Sequence, residues 1–192
     1  MSLVTGADGK QRCWWCGDDP TYVAYHDDDW GTPMHDERAL FELLSLEGFQ
    51  AGLAWITILR KRPAFVAAFD GFEIETVAGY GDREIDRLLG DAGIVRHRGK
   101  IEATIGNARA ILELHESGRT LDELVWTMGA RPAGTVRPKV KDEVIPFSPE
   151  AVVLSKHLKK LGFRFVGPTI VYSFLQSAGV VDDHVTGCWR AA

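Results

Sequence analysis

The chain is poor in the features that mark several broad protein classes. Its 192 residues include three cysteines, too few for the disulfide framework of a small secreted domain, so a reducing, cytoplasmic setting is expected. No run approaches the ~18 apolar residues of a membrane span. The opening Met1-Ser2-Leu3-Val4-Thr5-Gly6 lacks the basic and apolar regions of a secretory leader. Positive charge is not in excess: 22 Lys+Arg against 27 Asp+Glu leave a net of −5, which argues against a protein that coats DNA through bulk charge. Period-two alternation is scarce, and no Asn-Gly or Asp-Gly turn is recognised between two strands. What is present, 45% hydrophobic residues and 19 aromatics, excludes intrinsic disorder and is enough for one buried core.

Charge is unevenly distributed. Residues 1–95 carry 8 basic and 17 acidic side chains, and residues 96–192 carry 14 basic and 10 acidic. The basic ones cluster at Arg96, Arg98, Lys100 and Arg109, at Arg137, Lys139 and Lys141, and at Lys156, Lys159, Lys160 and Arg164. Such clusters read either as solvated helix faces or as a local grip on a polyanion, because screening confines each charge to about 8–10 Å.

Helix signals dominate, and the expected fold class is all-α. Asp36 can cap a helix through Leu40, Phe41, Leu43, Leu44 and Leu46, and Asp82 one through Ile85, Leu88 and Leu89 that stops at Gly90. Ile101, Ile105, Ala108, Ile111, Leu112 and Leu114 mark a longer helix ending before Gly118. Thr120 with Glu123 forms a capping-box pattern, and Ser148-Pro149 places a cap before a proline at the first helical position. A last helix, through Val171, Phe174, Leu175 and Ala178, follows Gly167-Pro168. Residues 129–147 read as a surface loop, residues 1–11 as a disordered segment, and residues 12–192 as a single domain.

Three constellations carry chemistry. Cys13, Cys16 and His26 lie early; His184 and Cys188 lie late, four apart, a spacing that on a helix would share one face. One Cys–His pair from each region would supply the tetrahedral N/S set of a structural Zn²⁺, and spacing does not rank Cys13 against Cys16. Five of the ten Trp and Tyr residues (Trp14, Trp15, Tyr22, Tyr25 and Trp30) crowd into 17 positions, either as core or as a slot for a flat ring. Glu47 follows an apolar helix and precedes the glycine-broken Gly48-Phe49-Gln50-Ala51-Gly52-Leu53-Ala54-Trp55, an odd place for an unpaired charge. Leu161–Thr169 joins two expected helices; its glycines at 162 and 167 can bare backbone N–H groups beside Lys159, Lys160 and Arg164, as a phosphate-gripping hairpin does.

Together these segments resemble the methyladenine glycosylase family of DNA-repair enzymes. The resemblance rests on Arg12-Cys13-x-Trp15, Tyr22–Asp27 through Trp30-Gly31, Leu46-Glu47-Gly48-x-Gln50-Ala51-Gly52-Leu53-x-Trp55, Asp91–Ile94 through Arg96–Ile101, Gly162–Ile170 and Asp183-His184-Val185-x-Gly187-Cys188. It implies a helix–hairpin–helix glycosylase domain in which Zn²⁺ joins the N- and C-terminal segments through Cys13, His26, His184 and Cys188, leaving Cys16 as an extra thiol. It implies Glu47 as the catalytic acid residue, with Tyr25, Trp55, Trp15, Tyr22 and Trp30 around the base. Gln50, Gly52, Leu53, Arg164, Val166, Gly167 and Thr169 would meet DNA. The implied activity is hydrolytic excision of 3-methyladenine from double-stranded alkylated DNA by a monomeric, monofunctional enzyme. Asp182 falls near the place where an aspartate stabilises the sugar cation in the wider superfamily. The alternatives are a non-catalytic, zinc-stapled DNA-binding module or a glycosylase with another range of alkylated bases.

Overall fold

A computed structural model describes residues 2–132 and 135–191; residues 133 and 134 of the expected loop lie outside it. The chain opens with a two-stranded antiparallel hairpin, β1 (Leu3–Thr5) and β2 (Gln11–Cys13), turning through Asp8-Gly9 with Gly9 at φ +77°. This corrects the expectation of a disordered start. Strands of three residues are too short to show alternation, and Asp-Gly is the turn signal that goes with them.

Helices make up the rest. In order they are α1 (Pro20–Ala24), α2 (Glu37–Gln50), α3 (Trp55–Ala68), α4 (Ile74–Ala78), α5 (Asp82–Gly90), α6 (Arg98–Glu116), α7 (Leu121–Met128), α8 (Pro149–Lys160) and α9 (Pro168–Ser177). The caps expected at Asp36, Thr120 and Ser148 are present, each side chain accepting a first-turn N–H. None of the helices is long and apolar enough to cross a membrane. The described residues of 129–147 are irregular apart from one short turn at Lys141–Glu143, and Pro138 is tied down where Thr186 N donates to its carbonyl.

Helix α2 is central. From Leu40 to Phe49 nearly every side chain is buried, because α3, α6, α7 and α9 all pack on it. A helix covered on all sides brings whatever polar residue it carries into the interior. Phe49 of α2 lies tilted against Phe65, which continues through the stacked rings of Phe69 and Phe72 as the core's aromatic spine. Helices α8 and α9 pack as a pair, with the Gly162–Gly167 hairpin at their tip.

Helix α3 did not register in the periodicity. Its core positions run 55, 58, 59, 62, 65, but position 62 is an arginine, satisfied by donating Nε–H to Glu42 at 2.6 Å, and Pro63 interrupts the pattern.

Candidate active site and metal centre

Helix α1 ends in one wide π turn, Tyr25–Asp29, in which Trp30 N donates to Tyr25 O at 2.9 Å. Such turns rotate neighbouring side chains out of ordinary helical register. Here the turn sends adjacent residues into two different sites: Tyr25 into a cavity and His26 into a Cys/His cluster.

The cavity, of about 180 Å³, is lined by Trp14, Trp15, Tyr22, Tyr25, Trp30, Glu47, Gln50, Trp55, Val144, Ser173, Gln176, Ser177 and Asp183. All five aromatics expected around the base are there. Trp15 lies 5.1 Å from Tyr22 and 4.9 Å from Trp30 between ring centroids, and Tyr25 lies 5.6 Å from Trp55. Glu47 is 2% exposed. Its Oε1 accepts from Ser177 Oγ at 3.0 Å, and that hydroxyl in turn accepts from Tyr25 OH at 2.9 Å. Among the described residues, Glu47 Oε2 and Trp55 Nε1 are buried with no partner. Burial pushes the Glu47 carboxyl up to about 8, the Ser177 hydrogen bond offsetting part of that rise. Burial, aided by the Glu47 charge, also raises the Tyr25 hydroxyl well above its usual range.

Trp14, part of the aromatic cluster but not assigned to the base, also lines the cavity, and sequence reasoning missed Val144, Ser173, Gln176, Ser177 and Asp183. Ser173, Gln176 and Ser177 had a signal, since i, i+3, i+4 polar residues on an otherwise apolar helix form one polar face. Asp182 points away from the cavity: it pairs with Arg137 at 2.5 Å and accepts from His184 N. The cavity aspartate is Asp183, 4% exposed, which accepts from both Arg131 terminal nitrogens, from Tyr172 OH and from Gln176 Nε2.

Behind Trp15 and Trp30 lies the cluster of Cys13, His26, His184 and Cys188, all buried, with ligand atoms within 4.8 Å of one another. Cys188 Sγ is 3.4 Å from His26 Nε2 and 3.6 Å from His184 Nδ1, and Cys13 Sγ is 3.8 Å from His184 Nδ1. Tetrahedral Zn–S and Zn–N bond lengths imply S···N separations of about 3.6 Å, so the donor set fits such an ion. The outer nitrogens are also engaged: His26 Nδ1 with Asp27 at 2.8 Å, and His184 Nε2 with Trp30 O at 3.3 Å. Asp27 is fixed in turn by Arg12 and Trp189. Imidazoles oriented this way are characteristic of metal ligands. Hydrogen bonds from the Cys13 thiol and both histidines hold the Cys188 thiol far below its usual range. Cys16 is buried beside the cluster and donates to Cys13 O. The expected helical face for His184 and Cys188 is corrected: residues 182–185 are irregular and 185–188 form a turn, closed by Cys188 N donating to Val185 O.

The residues expected at DNA lie on two loops and the helix ends beside them, Gln50 closing α2 and Thr169 in the first turn of α9. After α2 the chain turns through Gly52, at φ +84°, and leaves Leu53 43% exposed. In the hairpin, Arg164 and Thr169 are exposed, while the Val166 side chain is buried and offers only its backbone. Gly167 gives α9 no capping side chain, so an outside acceptor can take the first-turn N–H groups.

A helix–hairpin–helix core, an aromatic cavity holding a buried acid and a Cys/His staple are the features of a base-excision glycosylase. Residues 15–191 match the methyladenine glycosylase family, and the chain belongs to it. It is 47% identical over 178 residues to DNA-3-methyladenine glycosylase 1 of Escherichia coli (strain K12), covering 93% of this chain and 95% of that one. A crystal structure of 3-methyladenine DNA glycosylase I superposes with a TM-score of 0.89 at 46% identity, covering 94% of this chain and 99% of the other. A single-residue variant of such an enzyme, solved in complex with 3-methyladenine, gives a TM-score of 0.86 at 38% identity, covering 92% and 95%.

Proposed function

We propose that the protein excises 3-methyladenine from alkylated duplex DNA by hydrolysis, leaving an abasic site. The observation that carries this is the partnerless Glu47 Oε2 inside an aromatic cavity. An unpaired buried carboxylate is costly, and a flat cation carrying N–H donors relieves that cost, whereas a neutral undamaged base does so less well. 3-Methyladenine in DNA is such a cation. Its arrival favours the ionised form of Glu47, which accepts hydrogen bonds from the base while Tyr25 and Trp55 stack against it.

Because the leaving base is already cationic, no proton has to be donated to it. The bond from sugar C1′ to the base breaks, its electron pair stays on the base nitrogen, and the base departs neutral. Water oxygen bonds to C1′ and loses a proton. No lysine is among the residues lining the cavity, which fits a hydrolytic, monofunctional enzyme.

The nucleotide must first leave the helix, at a cost of a few kcal/mol. Leu53 on its turn acts as the wedge, flanked by Gln50 and Gly52. The backbone of Val166 and Gly167, the start of α9 at Thr169 and the side chain of Arg164 hold phosphates. Cys13, His26, His184 and Cys188 would hold a Zn²⁺ ion whose role is structural, tying the hairpin β1–β2 to the 183–188 segment. The protein works as a monomer.

Purified protein incubated with methylated DNA should release 3-methyladenine as a free base and leave alkali-labile abasic sites. Binding of DNA without any released base would overturn the proposal in favour of a binding module, and release of other bases alone would reassign the lesion.

A further inference from the structure

The wedge turn and the hairpin must meet one duplex at a fixed separation, yet both are loops that turn through positive φ, Gly52 at +84°, which glycine adopts freely, and Phe165 at +55°, where a side chain is strained. Two buried polar side chains on α6 hold them. Lys100 is 7% exposed, and its ammonium donates to Phe49 O at 2.8 Å and to Ala51 O at 2.7 Å. These carbonyls belong to the exit of α2, where the helix has no N–H left to satisfy them. No carboxylate pairs with Lys100 among the described residues, and burial alone pulls its ammonium below the ordinary lysine range. A neutral side chain would occupy this space at lower cost. What the ammonium adds is simultaneous donation to two carbonyls on either side of Gln50, which locks the direction in which the chain leaves for Leu53.

Asn107 is the only asparagine in the chain and is 4% exposed. Its Nδ2 donates to Arg164 O at 3.1 Å, and its Oδ1 accepts from Arg164 N at 2.8 Å. One side-chain amide therefore satisfies both backbone groups of the residue at the hairpin tip. Ser155 Oγ adds a bond to Val166 O at 2.6 Å. Seven residues of α-helix bring the chain back to the same face about 10 Å further on, so Lys100 and Asn107 are two anchor points on one rigid rod. Between them Gly48 of α2 touches the Phe165 side chain, where an added Cβ would lie 3.4 Å from Phe165 Cβ. Neither anchor lines the base cavity, and neither acts on Glu47.

We propose that Lys100 and Asn107 are positioning residues that make α6 a spacer, fixing the distance between the wedge turn and the hairpin without themselves touching base or DNA. The inference rests on the glycosylase function proposed above. It is tested with Lys100→Met and Asn107→Leu, each similar in size to the residue replaced, in three assays: 3-methyladenine release from methylated duplex, duplex binding, and tryptophan quenching by free 3-methyladenine.

The expected result is a fall of about 10- to 100-fold in kcat/KM on duplex, the scale of loss when geometry shifts by an ångström. Duplex affinity falls with it, while affinity for the free base stays within about two-fold of wild type and Lys100→Arg recovers most of the loss. Unchanged excision in both variants overturns the proposal. So does a parallel loss of free-base affinity, which would mark the residues as general core supports. If Lys100→Met fails to fold, Asn107→Leu decides. If the wild type releases no base, the glycosylase reading fails, and duplex affinity in the variants still tests the spacer.

Discussion

The base cavity and the Cys/His cluster lie on opposite sides of the same two tryptophans, Trp15 and Trp30, and share the same stretches of chain, yet they treat buried polarity in opposite ways. In the cluster both histidines are engaged at both ring nitrogens, and the carboxylate behind His26 is itself fixed by Arg12 and Trp189. In the cavity the carboxylate has one oxygen satisfied and one not, beside an indole N–H that also lacks a partner. An orphaned buried polar atom costs about 1–3 kcal/mol. A complete network is a structural device; an incomplete one awaits the ligand that completes it.

The comparison breaks most severely at the cluster. His184→Ala or Cys188→Ala should abolish metal retention, read by elemental analysis, and lower Tm by more than about 10 °C, the shift for loss of a few kcal/mol in a domain of this size. An unchanged Tm would show that the cluster does not hold the fold together.

At the cavity the expected sign is reversed. Glu47→Gln should lower kcat/KM for 3-methyladenine release about 10- to 100-fold, the worth of a hydrogen bond to a charged group, while Tm at pH 8 stays level or rises. Activity matching wild type would remove Glu47 from the chemistry.

A subtler contrast lies in pH. Glu47 takes up its proton near pH 8 in the folded protein against 4.5 unfolded, so the protonated acid favours folding. That contribution is whole below about pH 4.5 and is lost as pH rises through about 8. The Tm difference between wild type and Glu47→Gln should therefore drift against wild type over this window, and a flat difference would refute the raised pKa. The smallest effect is expected from Ser177→Ala. Removing a bond that draws the Glu47 pKa down should shift the activity profile to higher pH, with a loss of only a few-fold at neutral pH. A profile that does not move would show that Ser177 does not tune the acid.

The two sites were not equally legible in the sequence. The cluster is legible in part, because all three cysteines lie beside a histidine in one of two places, but only the resemblance chose Cys13 over Cys16; the helical face considered for His184 and Cys188 is replaced by irregular chain ending in a tight turn. Glu47 stands out because an unpaired acid in an apolar run is costly, whereas the five rings in 17 residues read equally as core until coordinates placed them around a cavity. Choosing Asp183 over Asp182 needed coordinates, since neighbouring side chains in extended backbone point to opposite sides and neither residue type nor spacing says which side faces the cavity. Capped helices such as α2 and α8 were readable from Asp36 and Ser148, whereas α3 hid behind Arg62, whose partner Glu42 sits 20 residues away. Val166 was read only as part of a hairpin that bares its backbone, and the burial of its side chain in the core could not be seen from the sequence.

The bond from Trp189 N to Gln11 O, 2.8 Å long, lies next to the Cys/His cluster, so two stretches nearly 180 residues apart meet at one seam. In mechanical terms, tension applied across that seam would load this bond, the Trp189 Nε1–Asp27 hydrogen bond and, with an ion bound, its links to the four Cys and His side chains. Pulled from its two ends, the molecule should therefore part at this seam before a helix melts, at a force that rises when the Cys/His cluster is loaded with metal.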